Sequence, residues 1–225
     1  MVLVRPLGCA LWALLCLGVP GEATASAVED ERRYSGVGRL LVPAVRYENG
    51  YAGHYDERCS GTVVTLSDGA APSSYIISAW HCLEDYRDLS RPLIFETVDG
   101  DRSEVRLVAS GGTMDQDWAL LRLTQAMDTA LPVTRDPATP TAVIMVGFPR
   151  DRADGAQTVV HCAIAGLDGS DYRGSCALQQ GASGGGVFSI GESPRYLGVI
   201  SRGDGVSQSI FVPVGRFLPK LRSHF

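Results

Sequence analysis

From residue 38 to residue 214 the chain is a succession of short apolar and β-branched runs, each closed by Gly, Pro, Asp or Ser. Six candidate strands fall at 38–45, 60–66, 74–79, 93–98, 104–109 and 118–123. Six more fall at 142–148, 158–165, 175–178, 186–190, 196–200 and 209–214, beyond a polar, proline-bearing stretch at 124–140. Runs this short, divided this regularly by turn residues, build an all-β fold of barrels or a sandwich. Helical periodicity is confined to 82–89 and to the tail at 215–222.

A chain of 225 residues can bury a sizeable core, as one all-β domain or two small ones. Its net charge of −5, without any run of Lys or Arg, excludes the electrostatic footprint of a nucleic-acid binder. Residues 1–27 read as an export signal. Arg5 supplies the positive start, residues 7–19 the apolar core, and Ala23-Thr24-Ala25 or Ala25-Ser26-Ala27 the small-residue cleavage site. That apolar run is too short to span a bilayer comfortably, so no membrane attachment is expected once the signal is removed. The expected location is secreted or periplasmic. The mature chain then divides into an N-terminal half, 28–130, and a C-terminal half, 131–225. Residues 28–34 read as a solvated arm or a short pro-segment, with Arg32-Arg33 as a possible processing point.

Cys9 and Cys16 leave with the signal, and Cys59, Cys82, Cys162 and Cys176 remain. An even number in an exported chain reads as disulfides. Three connectivities are open; neighbour pairing, Cys59 with Cys82 and Cys162 with Cys176, closes one loop in each half. His81-Cys82 and His161-Cys162 also resemble metal-ligand pairs, but no C-x-x-C accompanies them, so neither a metal nor a cofactor is expected.

Three segments carry chemistry. Gly181-Ala182-Ser183-Gly184-Gly185-Gly186 places a hydroxyl in a turn whose glycines let a substrate approach the backbone. The amides of Gly181 and Ser183 are the natural donors to a developing oxyanion. His81 follows the strand-like Tyr75-Ile76-Ile77-Ser78-Ala79, and Cys82 beside it can pin its backbone. Asp117 opens the apolar run Trp118-Ala119-Leu120-Leu121, which would bury it, and a buried carboxylate needs a partner such as an imidazole N–H. Asp115 reads as a solvated loop charge.

Ser78–Cys82, Asp117–Leu121 and Gly181–Gly185 resemble the signature segments of trypsin-like serine endopeptidases of the chymotrypsin fold, in the order His, Asp, Ser. Cys59-Ser60-Gly61-Thr62-Val63-Val64 is similar to the strand that precedes the histidine in that family. The resemblance runs from about Val37 to Val214. It implies two six-stranded antiparallel β-barrels packed together, with the site between them and a short C-terminal helix after them. It implies His81 as general base, Asp117 as its orienter, Ser183 as nucleophile, and the Gly181 and Ser183 amides as oxyanion hole. It also implies peptide or protein substrates, a monomer, and a substrate-binding wall made by Ala177, Ser201 and Gly203.

Two departures matter. Digestive members carry an aspartate just before the nucleophile, which pairs with a newly cut N-terminus; here that residue is Ala182, so this activation switch cannot operate. In this respect the chain is closer to bacterial glutamyl-endopeptidase-like members. Those relatives, however, carry a histidine where this chain has Ile200, and trypsin-type pockets carry an aspartate where it has Ala177. Small or apolar side chains are therefore expected at the cleaved position, unless Arg202 or Asp204 intrudes. Two alternatives stand beside the endopeptidase: a catalytically inactive exported homologue that binds a partner, and a secreted esterase whose G-x-S-x-G elbow uses Ser183 with Asp204 and His224.

Overall fold

A computed structural model describes residues 29–225, apart from 31, 69–70, 87–89, 135–138 and 153–154. The export signal read at 1–27 lies outside the described residues. Two closed six-stranded antiparallel barrels account for most of the chain. The first holds β1 (Val37–Glu48), β2 (Tyr51–Thr65), β3 (Ser73–Ser78), β4 (Leu93–Glu96), β5 (Arg102–Ser110) and β6 (Ala119–Met127). Its order is β1-β4-β5-β6-β3-β2, and β1 pairs with β2 to close it. A two-residue strand, β7 (Leu131–Pro132), runs parallel to the end of β2 that β1 leaves unpaired. The second barrel holds β8 (Ala142–Gly147), β9 (Thr158–Asp168), β10 (Asp171–Gly174), β11 (Gly186–Phe188), β12 (Tyr196–Gly203) and β13 (Ser209–Pro213). Its closed order is β10-β13-β12-β11-β8-β9. A 3₁₀ turn (Val214–Arg216) and a five-residue helix, α1 (Leu218–Arg222), follow.

β8 shows how the barrels are joined. Successive side chains of a strand point to opposite faces. Val143 and Met145 pack inside the second barrel with Cys162, Val187 and Phe211. Ile144 and Val146 point the other way, into a cluster continuous with the core of the first barrel. Both faces are buried, so the strand is apolar without alternation. The C-terminal helix adds to the same seam: Phe217 stacks on Trp118 of the first half at 5.2 Å between centroids. Tyr34 is fully buried against Phe188, so the arm at 28–34 is docked at its end rather than solvated throughout.

Several elements differ from the sequence expectation. β1 and β2 continue to a two-residue Asn49-Gly50 loop, with φ of 52° and 83°, making a hairpin whose outer half is exposed. Such a loop matches the twist of the strands it joins. The strand expected at 175–178 is instead β10, four residues earlier, because the Gly169-Ser170 turn returns the chain directly onto β9. Of the helix expected at 82–89, the described residues form a 3₁₀ turn, His81–Leu83, followed by an isolated bridge from Tyr86 to Ala44, and 87–89 lie outside the described residues.

Both disulfides pair sequence neighbours, Cys59 with Cys82 and Cys162 with Cys176. The second closes a 14-residue separation within the second barrel. Replacing Cys162 and Cys176 together by alanine is expected to lower the free energy of unfolding by about 3 kcal/mol. Denaturant titration measures this, and a loss below about 1 kcal/mol would show that the link scarcely restrains the unfolded chain.

Candidate active site

The site lies where the ends of β3 and β6 in the first barrel meet the 179–185 loop and β12 of the second. β3 ends at Ser78, and the chain turns through Ala79 and Trp80 into the 3₁₀ turn that carries His81. The Cys59–Cys82 disulfide ties this turn to β2. Asp117 sits just before β6, and its side chain is fully buried.

Asp117 is satisfied from three directions. Oδ1 accepts the His81 backbone N–H at 2.8 Å, and Oδ2 lies 2.8 Å from His81 Nδ1. Ser201 Oγ, from the second barrel, donates to Oδ2 at 2.5 Å. An ionised carboxylate can only accept, so Nδ1 carries the imidazole proton and Nε2 keeps its lone pair. Burial pushes the Asp117 carboxyl upward. The His81 hydrogen bond, the electrostatic attraction of its ring and the Ser201 hydroxyl, in that order, more than offset this and hold it below the ordinary aspartate range.

Ser183 lines the same cleft as His81, a cavity of about 480 Å³ that Met114, Gln179, Ile200 and Ser201 also border. Its hydroxyl donates to the Ser201 carbonyl at 3.2 Å. Ser201 thus serves both partners, with its hydroxyl on Asp117 and its carbonyl on Ser183. Gly181 and Gly184 flank the serine at φ of 99° and 84°, a region that only glycine enters freely. A Cβ on Gly184 would lie 2.2 Å from the Ser60 carbonyl oxygen. Among the described residues, neither the Gly181 nor the Ser183 amide donates to a backbone carbonyl, whereas those of Ala182, Gly184 and Gly185 do.

Ser201 and Gly203 line the cleft; Ala177 lies one residue before Leu178, which does. Both charges on the cleft wall are engaged elsewhere. Arg202 bonds Asp168 at 3.0 Å and Asp171 at 3.3 Å. Asp204 accepts the amides of Val206, Ser207 and Gln208 at 2.7–2.9 Å, which hold its carboxyl far below the usual range. Gln179 Nε2 reaches over to the Gly205 carbonyl at 2.6 Å and braces that turn. Beyond Ile200 the edge of β12 that faces β11 has no strand partner among the described residues, because β11 pairs only as far as Val199.

Cys59, His81 and Cys82 bring ligand-type atoms within 4.8 Å, but both sulfurs are consumed by the disulfide. Asp115 is exposed, and its carbonyl accepts from Arg216. Gly184–Gly186 leads into β11 and not into a helix, in an all-β protein, so the esterase elbow is overturned by the fold. Sequence reasoning missed Ser60 and the Ser201 hydroxyl as structural participants.

Residues 59–195 match the trypsin-like peptidase domain, more than half of the chain, and the protein belongs to that family. No curated protein sequence matches it. Solved structures that resemble it include the HtrA-type protease AlgW with a decapeptide (16% identity, TM-score 0.64, 88% of this chain and 66% of that one). AlgW with a tripeptide (18%, 0.65, 88% and 62%) and a serine endoprotease from Yersinia pestis (19%, 0.61, 92% and 67%) are similar. Identities this low speak for a shared fold. The chain spans about two thirds, or slightly less, of the length of those proteins.

The depressed Asp117 carboxyl predicts acid sensitivity. A group held lower in the folded than in the unfolded state stabilises the fold above the unfolded value, about 3.9, and that contribution is lost as pH falls through the folded one. The thermal stability of the wild type should therefore fall more steeply between about pH 5 and 2 than that of Asp117→Asn. Parallel curves for the two proteins would contradict the assignment.

Proposed function

We propose that the protein is a secreted or periplasmic serine endopeptidase that works through an acyl-enzyme on Ser183. The observation that carries this reading is the fully buried Asp117, which fixes the imidazole tautomer and, through Ser201, touches the strand that holds the Ser183 hydroxyl. Rotation about the Ser183 Cα–Cβ bond frees Oγ from the Ser201 carbonyl, and staggered alternatives are close in energy. In the proposed cycle His81 Nε2 takes the hydroxyl proton as Oγ attacks the peptide carbonyl. The Gly181 and Ser183 amides receive the oxyanion, and the proton passes to the leaving amine. Water then repeats the sequence on the acyl-enzyme. Asp117 remains ionised throughout and stabilises the imidazolium.

An extended peptide is the substrate that suits the cleft. The open edge of β12 offers backbone pairing to a strand laid along it. The AlgW structures, whose fold is similar, hold peptides. Leu178, Ala182 and Ile200 give the pocket apolar surface, and neither Arg202 nor Asp204 offers a free charge. Small or apolar residues at the cleaved position follow. Absence of an acidic residue at Ala182 aligns the chain with the glutamyl-endopeptidase-like branch in architecture, though not in that preference. Two disulfides suit an oxidising compartment. The halves 28–130 and 131–225 would each supply part of the triad.

A serine-directed phosphonofluoridate should label Ser183 alone, with peptide mapping as the readout. No labelling under conditions that support peptidases would favour an inactive binding protein. Ser183→Ala and His81→Ala should each lower turnover on the order of 10⁶-fold, because the triad acts as one unit; a loss under tenfold, roughly, would exclude these roles. In a chromogenic peptide panel, Ala, Val or Leu should be cleaved after most rapidly. Rapid cleavage after Arg or Glu would refute the pocket assignment.

A further inference from the structure

A glycine at the first oxyanion position creates a problem that the Ala182 side chain cannot solve. Gly181 sits at φ of 99°, and the peptides on either side of it can rotate at little cost. Useful donors must instead be held in place before the substrate arrives. Ala182 has no charge with which to hold them.

Three carbonyls on the loop are held from behind. Gln180 O accepts the Arg150 N–H at 2.7 Å, Gly181 O accepts Ser60 Oγ at 2.8 Å, and Ala182 O accepts the Gly185 N–H at 3.0 Å. In a planar trans peptide, N–H and C=O point in opposite directions. Holding the Gln180 and Ala182 carbonyls therefore turns the Gly181 and Ser183 N–H groups away from those contacts. The peptide between them, Gly181–Ala182, sets their angle to each other, and Ser60 is its side-chain anchor. Ser60 itself is fully buried and fixed on every polar atom. Oγ accepts the Phe148 N–H at 2.8 Å, its N–H donates to Ser183 O at 2.7 Å, and its carbonyl accepts Ser78 Oγ at 2.8 Å. One residue of the first barrel thus ties down both ends of the Gly181–Ser183 segment of the second.

We infer that Ser60 is a positioning residue that sets the oxyanion-binding amides through its hydroxyl bridge between the Phe148 N–H and the Gly181 carbonyl. The inference rests on the proposed acyl transfer at Ser183. Ser60 touches neither substrate nor the reacting atoms; it acts through the loop.

The test compares wild type, Ser60→Ala and Ser60→Thr by peptide hydrolysis, by inhibition with a peptide boronic acid that forms a tetrahedral adduct, and by the pH midpoint of kcat. Removing an oxyanion donor outright costs about 10²–10³ in kcat, so losing its support in Ser60→Ala should cost roughly 10–100-fold. Boronate affinity should fall by a similar factor, while KM and the pH midpoint stay at wild-type values. Ser60→Thr, which restores the hydroxyl, should recover kcat to within about threefold of wild type. A folded Ser60→Ala with wild-type kcat and boronate affinity would overturn the inference, and so would a KM that rises in step with the loss. If the alanine variant is not recovered folded, the threonine protein decides. Retained kcat and boronate affinity support the bridge; loss of both, despite the hydroxyl, overturns it. A wild type that neither hydrolyses peptides nor takes up label at Ser183 would instead defeat the parent reading, independently of Ser60.

Discussion

A fully buried carboxylate is expensive unless its oxygens are hydrogen-bonded, and Asp117 finds its donors in both barrels. His81 supplies two from the first barrel and Ser201 one from the second. The arrangement therefore exists only when the two halves are docked. Removing one partner of such a buried charge typically costs about 3–5 kcal/mol. The geometry of the site and the integrity of the interface are thus one problem.

The rest of the seam supports this contact. β8 is apolar on both faces because one fills its own barrel and the other packs toward the first. Trp118 follows Asp117 directly and stacks on Phe217, so the residue beside the carboxylate is held by the C-terminal segment. Arg216 extends the bracing on the solvent side, bonding Asp171 at 2.5 Å and the Asp115 carbonyl at 2.7 Å. Asp171 in turn neutralises Arg202. Charges that could have shaped the pocket are spent on holding its loops.

Much of the fold was legible in the residues themselves. Alternating or continuous apolar runs marked most strands, because burial on one face or two imposes those patterns. The failures have physical causes. β10, Asp-Tyr-Arg-Gly, is polar and is selected by the turn at Gly169, whereas the more apolar 175–178 leaves the barrel to build the cleft. The outer half of the β1–β2 hairpin lacks alternation because both faces are exposed, although Asn49-Gly50 carried the turn signal. At the site, Asp117 stood out because an acid opens an apolar run. The Ser60 hydroxyl and the Ser201 hydroxyl's bond to Asp117 did not, since a hydroxyl shows its role only through its partners. Ser60 lies 121 residues from Gly181, and Ser201 lies 84 from Asp117.

Nitrogen NMR of the His81 ring reads out which nitrogen Asp117 has selected. With Asp117 ionised and accepting, Nδ1 should show the signature of a protonated ring nitrogen and Nε2 that of an unprotonated one, once the ring is neutral. In Asp117→Asn the preference for that tautomer should disappear. A wild-type ring carrying its proton on Nε2, or one exchanging evenly between the two forms, would show that Asp117 does not set the tautomer.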